Sequence, residues 1–108
     1  MAAITARDLK IQTDVVRRLC KELDSYKSEL HAHEEKVKQL SAEGEDEARL
    51  RQWSNVIEET RNMIPCTEAR LSEAVSKLED TLALARTSSS SEVQKQIADT
   101  ERILETAK

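Results

Sequence analysis

The feature that most constrains this chain is a heptad repeat of apolar side chains that runs along most of its length. Such side chains recur at alternating steps of three and four residues from Leu9 to Leu40, with Gln12 and His33 filling two of the positions. A second stripe of the same period runs from Leu50 to Leu78 and includes Thr60 and Thr67. A repeat of this kind is typical of long α-helices that pack against one another along one side. The sequence therefore predicts an all-α fold with a narrow aliphatic core.

The composition agrees with this prediction. The 108 residues include one glycine, one proline and no phenylalanine, and only Trp53 and Tyr26 are aromatic residues of the Phe, Trp and Tyr class. Sheets need β-branched and aromatic residues together with glycine-type turns, and both are scarce here. A chain of this length is sufficient for one domain, which we expect to span residues 1–108.

Local signals divide the chain into three helices. We expect them at about residues 5–42, 46–86 and 90–107. Thr5 with Asp8 forms a capping pair for the first helix, and Gly44 supplies the left-handed residue that often follows a helix end. The serine-rich run before the third helix offers two caps, Ser89 with Glu92 or Ser91 with Gln94.

Pro65 lies inside the second stripe without changing its phase. Proline removes one backbone hydrogen bond and clashes with the preceding turn, so the pattern predicts one helix that is kinked at Pro65 rather than two helices. Short connections between the helices favour antiparallel neighbours. The predicted architecture is an up-down-up three-helix bundle with two long helices and a shorter third helix.

An antiparallel hairpin of the two long helices brings together residues whose numbers sum to roughly 87, with Leu9 opposite Leu78. The third helix can then cover only the half built from residues 5–24 and 68–85, and its end would place Ala107 near Ala69. We expect the other half to be a two-helix hairpin.

Charge and cysteine content exclude several classes of partner. The net charge is −4, with 17 basic and 21 acidic residues interspersed, which argues against nucleic-acid binding. No apolar run is long enough to cross a membrane, and the start shows no secretory signal. With only Cys20 and Cys66, a cytoplasmic protein with two inert thiols is expected.

No constellation of residues points to catalysis, a metal or a cofactor. His31 and His33 are two residues apart, so on a helix they point about 200° apart and do not share a metal ion. His33 lies on the apolar stripe and is expected to be a half-buried partner of a polar group. We therefore expect no active site.

The hairpin half is the predicted partner-binding surface, because two helices alone do not bury a wide apolar stripe. Its candidate residues are Tyr26, Leu30, Trp53, Val56, Glu59, Arg61 and Met63. A second candidate is the basic cluster of Arg17, Arg18 and Lys21, which is equally compatible with a solvated face balanced by nearby acids. The apolar surface is also compatible with water exposure or with a second copy of the chain.

Two segments resemble a known family. Residues 11–22, IQTDVVRRLCKE, and residues 56–71, VIEETRNMIPCTEARL, are similar to the first and second helices of the tubulin-binding cofactor A family, including a Met-Ile-Pro within the second helix. The resemblance implies a cytoplasmic, cytoskeleton-associated chaperone. It would bind β-tubulin and protect it or hand it on during heterodimer assembly, without a nucleotide or metal.

Two other functions remain open from the residues alone. The first is a generic coiled-coil interaction or dimerisation module of a cytosolic complex. The second is a membrane-active amphipathic protein, which the mixed charges of the helix faces disfavour. The sequence leaves open whether the protein is a monomer or a weak homodimer.

Overall fold

The computed structural model describes residues 4–108 as three α-helices. They are α1 (Ala6–Ala42), α2 (Glu47–Ala85) and α3 (Ser91–Ala107). The prediction of an all-α bundle with a short third helix is confirmed. Helix α2 continues through Pro65 without a break, as the unchanged phase of its stripe indicated.

The ends of the helices follow from local side-chain chemistry. The Thr5 backbone N–H donates to Asp8 Oδ2 and the Asp8 N–H donates to Thr5 Oγ1, which confirms the predicted capping pair. Gly44 adopts a φ of 76° after α1, a region that glycine enters without steric cost. Asp46 accepts from the Arg49 N–H at 2.8 Å and caps α2.

The predicted caps of α3 were wrong by one residue. Ser90 has extended backbone and its side chain accepts from the Val93 N–H, so Ser90 is the N-cap. Ser88 Oγ in turn accepts from the Ser90 N–H. In a run of four serines each one can serve as a cap, and the sequence pattern alone did not distinguish among them.

The chain divides into two compact units. The first, which we call the three-helix unit, comprises residues 4–21 and 69–108, and the second, the hairpin unit, comprises Glu22–Glu68. The boundary between the units lies close to the predicted limit of the third helix, which was expected to cover only residues 5–24 and 68–85.

The three-helix unit holds α3 against both long helices. The buried hydroxyls of Thr13 and Thr100 hydrogen-bond at 2.8 Å and join α1 to α3. Between α1 and α2, Thr81 donates to Gln12 Oε1 at 2.7 Å. The numbers of those two residues sum to 93, so the pairing is shifted by roughly one to two turns from the predicted one.

Two ion pairs join α3 to α2. Lys108 forms an ion pair with Glu79 at 3.8 Å, and Arg86 pairs with Glu101 at 3.3 Å. All four side chains are long and exposed, so these pairs do not fix which backbone positions of the two helices lie at the same level. The expected placement of Ala107 near Ala69 stays a prediction.

Candidate partner-binding surface

The two units differ in how well they bury their apolar side chains. Ten hydrophobic side chains are buried among the described residues, and nine of them belong to the three-helix unit. Leu40, near the end of α1, is the one that belongs to the hairpin unit. The apolar stripes of the hairpin unit are otherwise half-buried or exposed, so this unit carries apolar surface that its own residues do not cover.

Besides Leu40, the buried residues of the hairpin unit are polar and lie in the contact between α1 and α2, which we call the seam. Thr60 and Thr67 of α2 are buried, and the Thr60 hydroxyl donates to the Val56 carbonyl at 3.0 Å. Threonine is smaller than leucine and fills less of the space between two helices. Two such positions in one seam help to explain why the larger apolar residues around them stay partly exposed.

His33 and Trp53 form the aromatic contact of this seam. Their ring centroids lie 5.5 Å apart at an angle of 52°, and both side chains are half-buried. Their residue numbers sum to 86, as the predicted hairpin register requires. His33 was expected to face a polar group; instead its imidazole packs on the larger indole ring of Trp53.

Helical spacing places the exposed residues of α2 on two opposite flanks. Val56, Glu59 and Met63 follow steps of three and four and share one flank, which we call the Met63 flank. Val56 and Met63 are each 38% exposed. Ile57 follows Val56 by one residue and Arg61 follows Glu59 by two, and this spacing places both on the opposite side of the seam.

A groove lies along that opposite side, between α1 and α2. It has a volume of about 400 Å³. Its lining residues are Glu34, Glu35, Val37, Lys38, Ser41, Ile57 and Arg61. Val37 and Ile57 form an apolar floor, and charged side chains form the rim. Tyr26 and Leu30 precede Glu34 at steps of four and extend the same side of α1.

All seven apolar and rim candidates predicted from the sequence lie in the hairpin unit. Tyr26, Leu30 and Trp53 are half-buried, whereas Glu59 and Arg61 are exposed. The structure does not gather the seven into one patch, because the Met63 flank and the groove lie on opposite sides of the seam. Heptad positions alone did not separate the two sides.

The basic cluster lies in the three-helix unit and does not act as a set. Arg17 donates two hydrogen bonds to the Asp99 carboxylate, at 2.9 and 3.1 Å, and a third to Asp14. Arg18 and Lys21 are exposed. The guanidinium of Arg17 therefore ties α1 to α3, a structural role that neither interpretation of the cluster included.

Asp99 is the acceptor at the centre of this tie. Partial burial opposes its ionisation, but the hydrogen bond and charge of Arg17 outweigh burial, so the pKa of Asp99 lies below its ordinary value. Gln96 and Arg102 also donate to this carboxylate, at 3.3 and 3.5 Å. The ionised form is therefore the one that the folded chain stabilises.

A pH-dependent contribution to stability follows from this shift. A lowered folded-state pKa stabilises the fold above the ordinary aspartate pKa, and the contribution is lost as pH falls through the lowered value. Asp99→Asn should therefore lower the melting temperature modestly at pH 7, with the difference from wild type shrinking from about pH 4 downward. Asp80→Asn, at an exposed position of the same unit, is the matched control. An Asp99→Asn deficit that persists unchanged at pH 2 would contradict this assignment.

Two exposed apolar residues were missed by the sequence reasoning. Ile11 is 51% exposed and Leu84 is 56% exposed, and both belong to the three-helix unit. Ile11 lies two residues after Leu9, off the heptad stripe, and Leu84 lies two residues after Leu82. Apolar residues at off-stripe positions are the signal that would have identified them.

The described residues carry neither a metal-binding cluster nor a membrane-spanning helix. No group of three or more of their histidine, cysteine, aspartate or glutamate side chains is placed to hold a metal ion. Among the same residues, no helix combines the length and apolarity that crossing a membrane requires. Cys20 is half-buried, Cys66 is exposed, and neither forms a disulfide.

Comparisons with known proteins agree on one family. A family model described as tubulin binding cofactor A matches residues 4–107. A tubulin-folding cofactor A from Arabidopsis thaliana is 40% identical over 79 residues, which are 73% of this chain and 70% of the relative. A tubulin-specific chaperone A from Mus musculus is 37% identical over 82 residues, 76% of each chain. The crystal structure of tubulin folding cofactor A from Arabidopsis thaliana superposes with a TM-score of 0.71 at 36% identity, covering 90% of this chain and 95% of the other.

Proposed function

The chain belongs to the tubulin-binding cofactor A family, and we propose that it binds β-tubulin and protects this subunit or hands it on during assembly of the tubulin heterodimer. The relatives named above are chaperones and folding cofactors of tubulin, so a role in tubulin folding is the function of the family. The choice of β-tubulin, and the step at which it is bound, are the parts that we propose.

The observation that carries the proposal is the uncovered apolar surface of the hairpin unit. A chaperone for an assembly subunit must cover apolar surface that the subunit later buries against its partner. The half-buried Tyr26 and Trp53, with the exposed Val56 and Met63, offer complementary apolar area. Tyrosine and tryptophan are the side chains most enriched at interface centres, and exposed charges such as Glu59 would form a polar rim.

Binding of this kind requires no catalysis. A protein that binds one state of its client stabilises that state by mass action, in proportion to RT ln(1 + [L]/Kd). We therefore propose a binding protein that acts without nucleotide, metal or cofactor. Its two cysteines, which form no disulfide, suit a cytoplasmic location, where β-tubulin is encountered before assembly.

The proposal is tested by size-exclusion chromatography with light scattering, on the chain alone and mixed with β-tubulin. We expect a complex of one chain with one β-tubulin, and a free chain that elutes as a monomer or weak homodimer. Co-elution with α-tubulin but not β-tubulin, or no complex with either subunit, would refute the proposal.

The connection between α2 and α3 should contribute little to this binding. Residues 88–91 are small side chains that offer no aromatic or arginine anchor. Replacing all four serines by glycine removes the Ser90 cap, but glycine at an N-cap costs only a few tenths of a kcal/mol. We expect affinity for β-tubulin to change by less than about threefold, measured by titration. A hundredfold loss would show that this connection, rather than the helix surface, forms the interface.

A further inference from the structure

The groove of the hairpin unit has the shape and the lining of a groove in which a third helix packs. Its floor is apolar at Val37 and Ile57. Tyr26 and Leu30 do not line the groove but precede it on the same side of α1. A helix that lies in the groove and continues over them spans residues 26–37 of α1, about 17 Å at 1.5 Å per residue, or three helical turns. No third helix belongs to this unit, since its residues 22–68 contain only parts of α1 and α2.

In the three-helix unit, α3 packs in the corresponding groove between α1 and α2. There α3 buries Val93, Thr100 and Leu104, which are spaced at seven and four residues and form one stripe. Thr13 and Arg17 are the α1 residues that hydrogen-bond to α3. The helix in that unit is amphipathic and is held by apolar contacts, by a buried pair of threonine hydroxyls and by an ion pair at its edge.

The heptad register relates the contact residues of α1 to the groove. Three heptads after Thr13 and Arg17 come Glu34 and Lys38, and both line the groove. Three heptads before the buried Leu78 comes Ile57 of the groove floor. In a heptad repeat, residues that are whole heptads apart occupy equivalent positions. The groove is thus built from the positions that elsewhere in the chain receive a helix.

The rim of the groove carries two charges without ion-pair partners among the described residues, Glu34 on α1 and Arg61 on α2. Lys38, by contrast, pairs with Glu35 at 3.8 Å. Opposite charges on the two sides of a groove favour one direction of an inserted helix. The matching helix has a basic residue toward Glu34 and an acidic residue toward Arg61.

We infer that this groove binds an amphipathic helical segment of β-tubulin, about three turns long, with apolar residues at i, i+3 or i+4, and i+7. The inference rests on the proposed function and refines it. The segment adds to the hairpin unit a third helix of the kind that α3 supplies to the three-helix unit. Its basic and acidic edges pair with Glu34 and Arg61, and this pairing sets its direction.

Charge reversal tests the inference without disturbing the core, because the residues concerned are exposed. Glu34→Arg and Arg61→Glu change the groove rim, and Lys36→Glu and Glu58→Arg are matched reversals at exposed positions that do not line the groove. We expect each groove reversal to weaken β-tubulin binding about tenfold, since like charges would face each other. The control reversals should change it by less than twofold, and all four variants should melt within a few degrees of wild type.

The outcomes separate the inference from the proposed function. If wild type fails to bind β-tubulin, the proposed function is wrong. If wild type binds and the groove reversals bind equally well, or no more weakly than the controls, the function stands and the groove inference is overturned. Light scattering on the free variants adds one case: a wild-type dimer that the groove reversals dissociate would show a second copy of the chain in the groove, which also contradicts the inference.

The helical form of the segment has its own test. Overlapping 20-residue peptides of β-tubulin are added as competitors, and the circular dichroism of each competing peptide is measured with wild type and with Arg61→Glu. We expect one region of β-tubulin to compete, to gain helix on binding and to bind Arg61→Glu more weakly. Competition without a gain in helix, or the absence of any competing peptide, would contradict the inference.

Discussion

Leu78→Ala is expected to lower the free energy of unfolding by about 3 kcal/mol, the largest stability effect that we predict for a single substitution. Leu78 is fully buried in the three-helix unit, between residues that also belong to the core. Removing its branched end loses the transfer free energy of the buried carbons and leaves a cavity that the surrounding helices fill only in part. For a chain of this size the melting temperature should fall by about 15 °C, measured by thermal and urea denaturation.

Ile57→Ala is the matched control for that change in the hairpin unit. Ile57 lies three heptads from Leu78 on the same helix but is only half-buried, so fewer carbons leave water when the chain folds. We expect its cost to be less than half of that of Leu78→Ala. Equal losses at the two positions would mean that the hairpin unit contributes as much packing as the three-helix unit, against our description of its surface.

The heptad pattern was sufficient to predict the helices, because a period of three and four residues has no other common structural origin, whereas their ends had to be predicted from capping residues. Capping residues were predicted correctly where the sequence has a single candidate, as with Thr5, Asp8 and Gly44. The cap of α3 was predicted wrongly because four consecutive serines are all candidates. The register within the hairpin unit was also predictable, since apolar residues face each other there and His33 meets Trp53.

The registers in the three-helix unit were not predictable to the residue. Polar pairs such as Thr13 with Thr100, and Gln12 with Thr81, select among alignments that the apolar stripes satisfy almost equally well. An apolar stripe shows which side of a helix faces its neighbour, but it says little about how far one helix is shifted along its axis relative to the other. The role of Arg17 was missed for a similar reason, because its acceptor Asp99 lies 82 residues away in the sequence.

The candidate surface was predictable in part. The unit that carries it followed from helix lengths, since α3 is too short to reach beyond residues 5–24 of α1. The separation of the Met63 flank from the groove needed the positions of both helices. The exposed Ile11 and Leu84 were not predicted, because the heptad pattern identifies only residues on the apolar stripe and both lie off it.

Trp53→Ala is expected to weaken the binding of β-tubulin by about thirtyfold, which corresponds to the 2 kcal/mol typical of a hot-spot residue. Trp53 is the largest apolar side chain of the hairpin unit and is only half-buried despite its contact with His33. A partner that covers it gains a large apolar area from a side chain that loses few rotamers on binding. Because Trp53 is only half-buried in the free chain, its loss should cost less stability than that of Leu78.

The central claim is that β-tubulin binds to the apolar surface of the hairpin unit that the unit's own residues do not cover. The most direct test is a titration of β-tubulin with wild type, Trp53→Ala and Leu78→Ala at a temperature where circular dichroism shows all three chains to be folded. We predict a roughly thirtyfold loss of affinity for Trp53→Ala, although it melts above Leu78→Ala, and near-wild-type affinity for Leu78→Ala. Unchanged affinity of Trp53→Ala, or a loss that follows melting temperature across the three chains, would contradict the claim and leave Trp53 as a structural residue only.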